Sequence, residues 1–459
     1  MLLSLTIENY RSFAAPAVLD LQKRSFTTNL PRNGSWTGST ERIAGIYGPN
    51  ASGKSTVLMA LGALQRAVTD SVQFPRASQM LRTPHALHPG DETFFEVEYV
   101  RESTRYRWSV TLTGDGITEE QLDAVGGDSG SSHWRRLYTR TGQEVEFGRH
   151  SGLPKAAQQN VEAFLRPWAL VLSAWALVRD RGPYFSAVTW WFSELRVAPT
   201  PGDGPENADL HAETLNLMVD PTWERAAHDV LRAADVGISS VDIRKDKLPA
   251  ELVEMLETVQ EVMESRRSAD GAGARPVKDD PGLAEKVNDV IQRLEFTHSS
   301  GKHTFILKEQ DESRGTRFWL DLALTAVRSL VTGEVLVIDE LDASIHPALV
   351  RYFIDLFLHE ETNPSGAQLL YTSHDVTPLG NVLSEHLSES VVWLVDKQDA
   401  ESSLICLDEY PISRRSNLEK QYLSGAFGAL PVPGPELASA IVSLRGEWLD
   451  ALSSGEGAE

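Results

Sequence analysis

Ile43-Ala44-Gly45-Ile46-Tyr47-Gly48-Pro49-Asn50-Ala51-Ser52-Gly53-Lys54-Ser55-Thr56 is the stretch from which the rest of this chain can be read. The run from Ile43 to Tyr47 predicts a buried strand that leads straight into a turn. Positions 48–55 satisfy the phosphate-loop pattern G-x-x-x-x-G-K-[ST] residue for residue. Gly48 and Gly53 let the backbone wind closely enough for its N–H groups to face phosphate oxygens. Residues 55–68 supply the helix formers Leu58, Met59, Ala60, Leu61, Ala63 and Leu64, so the unit is strand, loop, helix, and the helix adds the positive end of its dipole. The expectation is a loop from Gly48 through Pro49, Asn50, Ala51, Ser52 and Gly53 to Thr56 that holds the phosphates of ATP. Lys54 would neutralise β/γ-phosphate charge, and the Ser55 hydroxyl would bind Mg²⁺. The bland alternative, a glycine turn without a ligand, is disfavoured by the flanking strand and helix.

Such a loop needs a carboxylate to complete the metal shell, and the apolar run Val335-Leu-Val-Ile338 ends in Asp339-Glu340. Four apolar residues suit a central parallel strand; Asp339 would join the metal shell and Glu340 would act as general base on the attacking water. A second apolar strand, Gln368-Leu-Leu-Tyr-Thr372, is followed by Ser373-His374, and His374 is placed to hydrogen-bond the γ-phosphate. Upstream, Ser313-Arg-Gly315-Thr316 precedes an apolar helix; Ser313 can cap it and Gly315 permits close approach, which makes its N-terminus an anion site.

The wider pattern predicts an α/β domain split around a middle insertion. Leu3, Leu5 and Ile7 alternate with polar residues in a first strand, and residues 94–147 carry short β-type runs broken by Gly and Asp, as in an antiparallel sheet. Residues 155–256 are mainly helical in texture, interrupted by a linker at 199–205. One helix there is well punctuated, with Asp220 as cap, Pro221 at its first position and Gly237 beyond its end. Residues 265–282 read as a flexible linker. After Arg293 come a strand at 304–307, a helix at 316–330, a strand at 335–338, a helix at 347–358 and a strand at 368–372. The expected division is 1–150 for the N-terminal part of an ATPase head with a β lobe, 151–295 for the insertion, 296–432 for the C-terminal part of the head, and 433–459 for a helix and tail.

Composition narrows the class. The 459 residues hold 65 acids against 43 bases, a net charge of −22, and 41% hydrophobic residues, enough for a sizeable core. The acidic balance opposes broad nucleic-acid binding and leaves only a local basic patch for it. The lone Cys406 cannot form an internal disulfide, no apolar run approaches the length of a membrane span, and the N-terminus lacks the layout of a secretory signal, so the expected location is the cytoplasm. No metal-ligating cysteine cluster and no G-x-S-x-G nucleophile motif is present.

The motif order is P-loop, long insertion, Ser-x-Gly-Thr helix start, Asp-Glu strand, Leu341-Asp342-Ala343-Ser344, then histidine. It resembles the ATP-binding-cassette ATPases, and within them the SMC/RecF/OLD branch. Leu5-Thr-Ile-Glu-Asn-Tyr10-Arg11-Ser-Phe13, the run from Glu340 to Pro347 and the 285-residue separation of Lys54 from Asp339 carry that likeness. The chain is most similar to AAA-family ATP/GTP-binding proteins of bacterial abortive-infection and antiphage operons, which share runs like Val391-Val-Trp-Leu-Val-Asp-Lys397 and Tyr422-Leu-Ser-Gly-Ala-Phe-Gly428.

The resemblance implies an α/β P-loop NTPase, the ABC ATPase head, with an antiparallel β lobe and a helical insertion. It implies a homodimer or higher homo-oligomer in which Ser313, Gly315 and Thr316 act in trans on a partner's nucleotide and Asp342 lies at the interface. It also implies an effector partner, nuclease or toxin, encoded nearby, and Arg11 as a phosphate contact. A surface arginine is the equal alternative for Arg11. The metal-sensing glutamine usual in the branch has no assignable position; Gln121 and Gln143 do not fit. The alternative reading is a RecF-like repair ATPase that contacts DNA directly through Arg101, Arg105, Arg107, Trp108, Trp134, Arg135 and Arg136. That set reads more readily as one solvated face of a sheet. Trp190, Trp191 and Phe192 read as helical core or interface. A transporter subunit is disfavoured by the insertion.

Overall fold

In the first strand, β1 (Leu2–Glu8), apolar side chains alternate inward, and β2 (Ala17–Asp20) pairs antiparallel with it. The computed structural model describes residues 1–127, 131–198, 205–234, 237–247, 290–301, 303–343, 345–383, 386–412, 417–430 and 435–454. After β3 (Ile43–Tyr47) and the P-loop helix (Lys54–Asp70) come β4 (Thr93–Arg101), β5 (Thr104–Thr113), β6 (Gly116–Gly126), β7 (Ser131–Thr141) and β8 (Glu144–Phe147). These five extend the first hairpin into a seven-stranded antiparallel sheet ordered β2-β1-β4-β5-β6-β7-β8. Three helices (Lys155–Phe164, Val171–Ala176 and Ser186–Ser193) lead to the short strand β9 (Leu195–Ala198). Helices Pro205–Leu217 and Pro221–Ala233 precede β10 (Ile238–Lys247), β11 (Val290–Ser300) and β12 (His303–Lys308), which form a separate three-stranded sheet. The signature helix (Arg314–Thr332), β13 (Val335–Ile338), helix Pro347–Leu358, β14 (Gln368–Thr372), β15 (Val392–Gln398) and β16 (Glu401–Cys406) complete the head. A last helix spans Glu436–Ser454.

The central sheet has the order β16-β15-β3-β14-β13-β9, parallel except for β16 at one edge. Its middle strands β3, β14 and β13 are buried along their whole length because both faces are covered. Ala44, Ile46, Val335, Val337 and Leu370 enter one core with the P-loop helix and the seven-stranded sheet. Ile43, Tyr47, Leu336, Ile338, Leu369 and Tyr371 enter the other with the signature helix and helix Pro347–Leu358. Gly45 makes this packing possible: a Cβ there would lie 2.5 Å from the Tyr371 hydroxyl, which is hydrogen-bonded to the Tyr47 hydroxyl at 2.9 Å.

Three expectations change. The segment 155–256 is not helical throughout: β10 pairs with β11 from across the insertion, because Val241 and Ile243 alternate with charged residues and bury one face. The strand expected at 304–307 lies in this small sheet and not in the parallel one. The four-residue β9, too short and too mixed to stand out, adds to the central sheet beside β13. The linker at 265–282 and nearly all of that at 199–205 fall outside the described residues. Trp190 and Trp191 are fully buried, with Tyr99 stacked on Trp190 at 4.5 Å, whereas Phe192 is half exposed.

Candidate functional site

The registers of β3, β14 and β13 align their C-terminal ends on one edge: Ile46 stands opposite Thr372, and Tyr371 opposite Ile338. The P-loop, Ser373-His374 and Asp339-Glu340 therefore emerge side by side, although the P-loop precedes the other two by hundreds of residues in sequence. In the loop, Ala51 (φ 60°) and Gly53 (φ 110°) adopt left-handed backbone, and helix hydrogen bonding begins with the Thr56 amide donating to the Gly53 carbonyl. Lys54 is 6% exposed and donates from Nζ to the carbonyls of Gly48 (2.8 Å) and Pro49 (3.0 Å). Burial holds its pKa below the usual lysine value, against the opposing pull of the Asp339, Glu340 and Asp342 carboxylates.

Two elements brace this loop from behind, and one of them, β16, is not singled out in the sequence. Ser402, in β16, donates its hydroxyl to the Ser52 carbonyl (2.5 Å) and its amide to the Ser12 carbonyl (2.8 Å). The turn after β1 is itself pinned, with Asn9 Nδ2 donating to the carbonyls of His88, Asp91 and Glu92. Asn9 and Arg11 both sit at positive φ in that turn, and the Arg11 amide donates to the Thr83 carbonyl. Arg11 lines a cleft of about 570 Å³ that it shares with Tyr10, Arg66, Arg196, Glu213 and Asp339, so it faces the same space as the Asp339 carboxylate.

Thr372 organises the acidic end. Its hydroxyl donates to Asp339 Oδ1 (2.5 Å) and accepts from the Glu340 amide (2.8 Å), which holds Glu340 at φ 56°. One Asp339 oxygen is thereby committed, and the other makes no hydrogen bond among the described residues. With the Ser55 hydroxyl in the first helical turn, this donor pair fits a Mg²⁺ ion. The His374 amide donates to both oxygens of Asp342 (3.1 and 3.2 Å), so Asp342, expected at a dimer interface, bears on the histidine segment of its own chain. His374 is exposed.

Ser313 caps the signature helix, accepting from the Thr316 amide at 3.0 Å, while Glu312 holds the Ser313 amide and also meets His298 of β11 (2.7 Å). Within one chain, no hydrogen bond joins Ser313, Gly315 or Thr316 to the P-loop among the described residues. The expected arginine patch is a different matter. Arg105 is buried and ion-paired with Glu98, Arg107 also pairs with Glu98, Arg136 with Asp123 and Arg101 with Glu194, and Trp108 is fully buried. Arg135 donates to the Gly126 carbonyl and lies over Tyr184. Acids pair with Arg101, Arg105, Arg107 and Arg136, so the set is not a free basic patch; Arg107 and Arg136 remain partly exposed, as on a solvated sheet face, whereas Arg105 and Trp108 are buried. β9 runs parallel to β13 and opens at the same edge as Asp339, into residues 199–204, which lie outside the described residues and contain no glutamine.

The family described as "AAA domain, putative AbiEii toxin, Type IV TA system" matches residues 43–377. Among solved structures, the SMC head domain from Thermotoga maritima aligns over 88% of this chain and 98% of its own, with 11% sequence identity and a TM-score of 0.40. No curated protein matches the chain.

Proposed function

The chain belongs to that AAA-domain family, and from this premise we propose that it is a Mg²⁺-dependent ATPase that dimerises around two ATP molecules and gates an effector partner in antiphage defence. The carrying observation is the convergence of Lys54, Asp339, Glu340 and His374 on one sheet edge, with the Ser313 helix start left free for a second chain's nucleotide. Lys54 and the loop amides hold the phosphates; Ser55 and Asp339 hold Mg²⁺, which supplies charge neutralisation on the β/γ oxygens when bound. Glu340 takes the proton of the attacking water, and His374 meets the γ-phosphate.

Effector binding is supported by the last helix. Leu437, Ile441, Leu444 and Trp448, spaced 4, 3 and 4 residues apart, are each more than half exposed. Residues 435–459 carry five acids and one base, so the partner that fits is a protein with an apolar groove and a basic rim. Trp448→Asp should abolish effector binding with ATP hydrolysis unchanged; if binding survives, this docking element is wrong.

Glu340→Gln tests the catalytic reading. The expected result is loss of hydrolysis by roughly 10²–10⁴-fold with ATP retained on a species of twice the mass in size-exclusion chromatography. Wild-type turnover in that variant would refute it. Direct DNA binding is the less supported reading, since Arg105, Arg107 and Arg136 of the β lobe are paired with acids.

A further inference from the structure

We propose that the insertion carries a structural site for a divalent transition cation, of the Zn²⁺ class, formed by Glu224, His228 and Asp242. Glu224 and His228 stand four residues apart on one face of helix Pro221–Ala233, and Asp242 lies on β10, packed against that helix. One ligating atom from each of the three lies within 4.8 Å of the other two. Two carboxylates gathered at that spacing repel, and among the described residues neither forms an ion pair with lysine or arginine. Arg244, two residues along the strand, donates to Glu295 at 2.7 Å.

The histidine is prepared for a ligand. Its Nε2 lies 3.0 Å from the Val241 carbonyl, which can only accept, so Nε2 carries a proton and Nδ1 is the ring nitrogen left for a ligand. A backbone carbonyl holding the second ring nitrogen is the usual outer-shell arrangement of a metal-bound imidazole. One nitrogen and two carboxylates with water completing the shell suit Zn²⁺ better than Mg²⁺, which prefers oxygen alone. The ion would staple the helix to the exposed edge of β10. That helix also supports the signature helix, whose Trp319 Nε1 donates to the Val230 carbonyl at 2.9 Å. Metal here would therefore stiffen the lobe on which Ser313 is mounted, independently of the Mg²⁺ at Ser55 and Asp339.

The test uses the full chain, stripped with chelator and free of nucleotide and Mg²⁺, titrated calorimetrically with ZnCl₂. One equivalent should bind, and the thermal midpoint should rise with Zn²⁺. Asp242→Asn, an exposed isosteric change, and His228→Ala should each weaken binding at least 10-fold. Asp339→Asn should leave it unchanged while impairing Mg·ATP binding, so failure of this site and failure of the ATPase assignment separate. Circular dichroism melts of each metal-free variant establish folding. Absence of a stoichiometric Zn²⁺ site in the wild type, or equal affinity in Asp242→Asn, overturns the proposal and leaves His228 as a cap on a sheet edge only.

Discussion

Replacing Thr372 with valine is the sharpest probe of how the acidic end of the site is built. The change is nearly isosteric and the position is fully buried, so packing is conserved while one hydroxyl is lost. That hydroxyl makes two bonds: a charge-assisted one to Asp339 Oδ1 (2.5 Å) and one from the Glu340 amide (2.8 Å). A hydrogen bond to a charged group contributes about 1.5–3 kcal/mol, and an amide left without its partner costs about 1–3 kcal/mol. The two share one atom and do not add fully, so the expected loss is roughly 2–4 kcal/mol in urea denaturation. A positive φ at a non-glycine residue costs about 1–2 kcal/mol, so Glu340 freed of this bond relaxes away from φ 56° and the base loses its aim. Steady-state ATP hydrolysis should show half-saturation by Mg²⁺ raised roughly 10–100-fold, as when an outer-shell partner of a metal ligand is removed. Thr372→Ser keeps the hydroxyl and should retain both stability and Mg²⁺ dependence. A Thr372→Val protein within about 0.5 kcal/mol of wild type and with unchanged Mg²⁺ half-saturation would refute the role given to this hydroxyl.

Gly45→Ala places a methyl 2.5 Å from the Tyr371 hydroxyl and 3.0 Å from Tyr47 Cε2 in the middle of the central sheet; overpacking should cost about 1–3 kcal/mol, measured by urea midpoint. Arg140→Met removes the cation beside the fully buried Glu120, a carboxylate held by Trp108 Nε1, the Tyr138 hydroxyl and the Val171 amide, and should cost about 3–5 kcal/mol in the same assay. His211 has its pKa pushed up to about 10, first by its hydrogen bond to Asp321, then by that to Glu309, against burial. A raised folded-state pKa stabilises fully below about 6.5 and is lost as pH rises through about 10. His211→Ala should therefore cost on the order of 2 kcal/mol at pH 6 and little at pH 10.5, and equal costs at both pH values would contradict the pairing.

The parts of the site that could be read from sequence are those whose chemistry is local. Gly48 to Ser55 needs only its own spacing, and Val335 to Asp339 announces a strand covered on both faces by being apolar without alternation. What could not be read depends on partners distant in sequence. Ser402 reaches the P-loop through a β-hairpin edge, and Thr372 reads as one more strand residue until β14 is placed beside β13. Arg105 looked like a free cation because nothing in sequence shows that register sets Glu98 against Arg107 and brings Glu98 to Arg105 as well. β10 was hidden because its pairing strand, β11, lies across the insertion, and a strand of mixed polarity is not specified by its own residues.

The same long-range pairing ties the signature helix to the metal strand. Nineteen residues make a rod of about 28 Å, with Ser313 at one end and Arg328 near the other. Arg328 meets Glu213 and Glu334; Arg196 of β9 meets the same two acids, at 2.8 and 2.9 Å; and His211 bridges helix Pro205–Leu217 to Asp321. Glu334 directly precedes the strand that ends in Asp339, and the amide of the next residue, Val335, donates to the Glu194 carbonyl. Arg196, Arg328, Glu213 and Glu334 each have two partners of opposite sign, so tilting the rod breaks several pairs together instead of one at a time, and partly buried charges resist being left unpaired. In the proposed dimer, force applied at Ser313 by the other chain's nucleotide would therefore be resisted at the base of β13, the strand that leads into Asp339. The contact between the two ends of the site is a set of ion pairs on rigid elements.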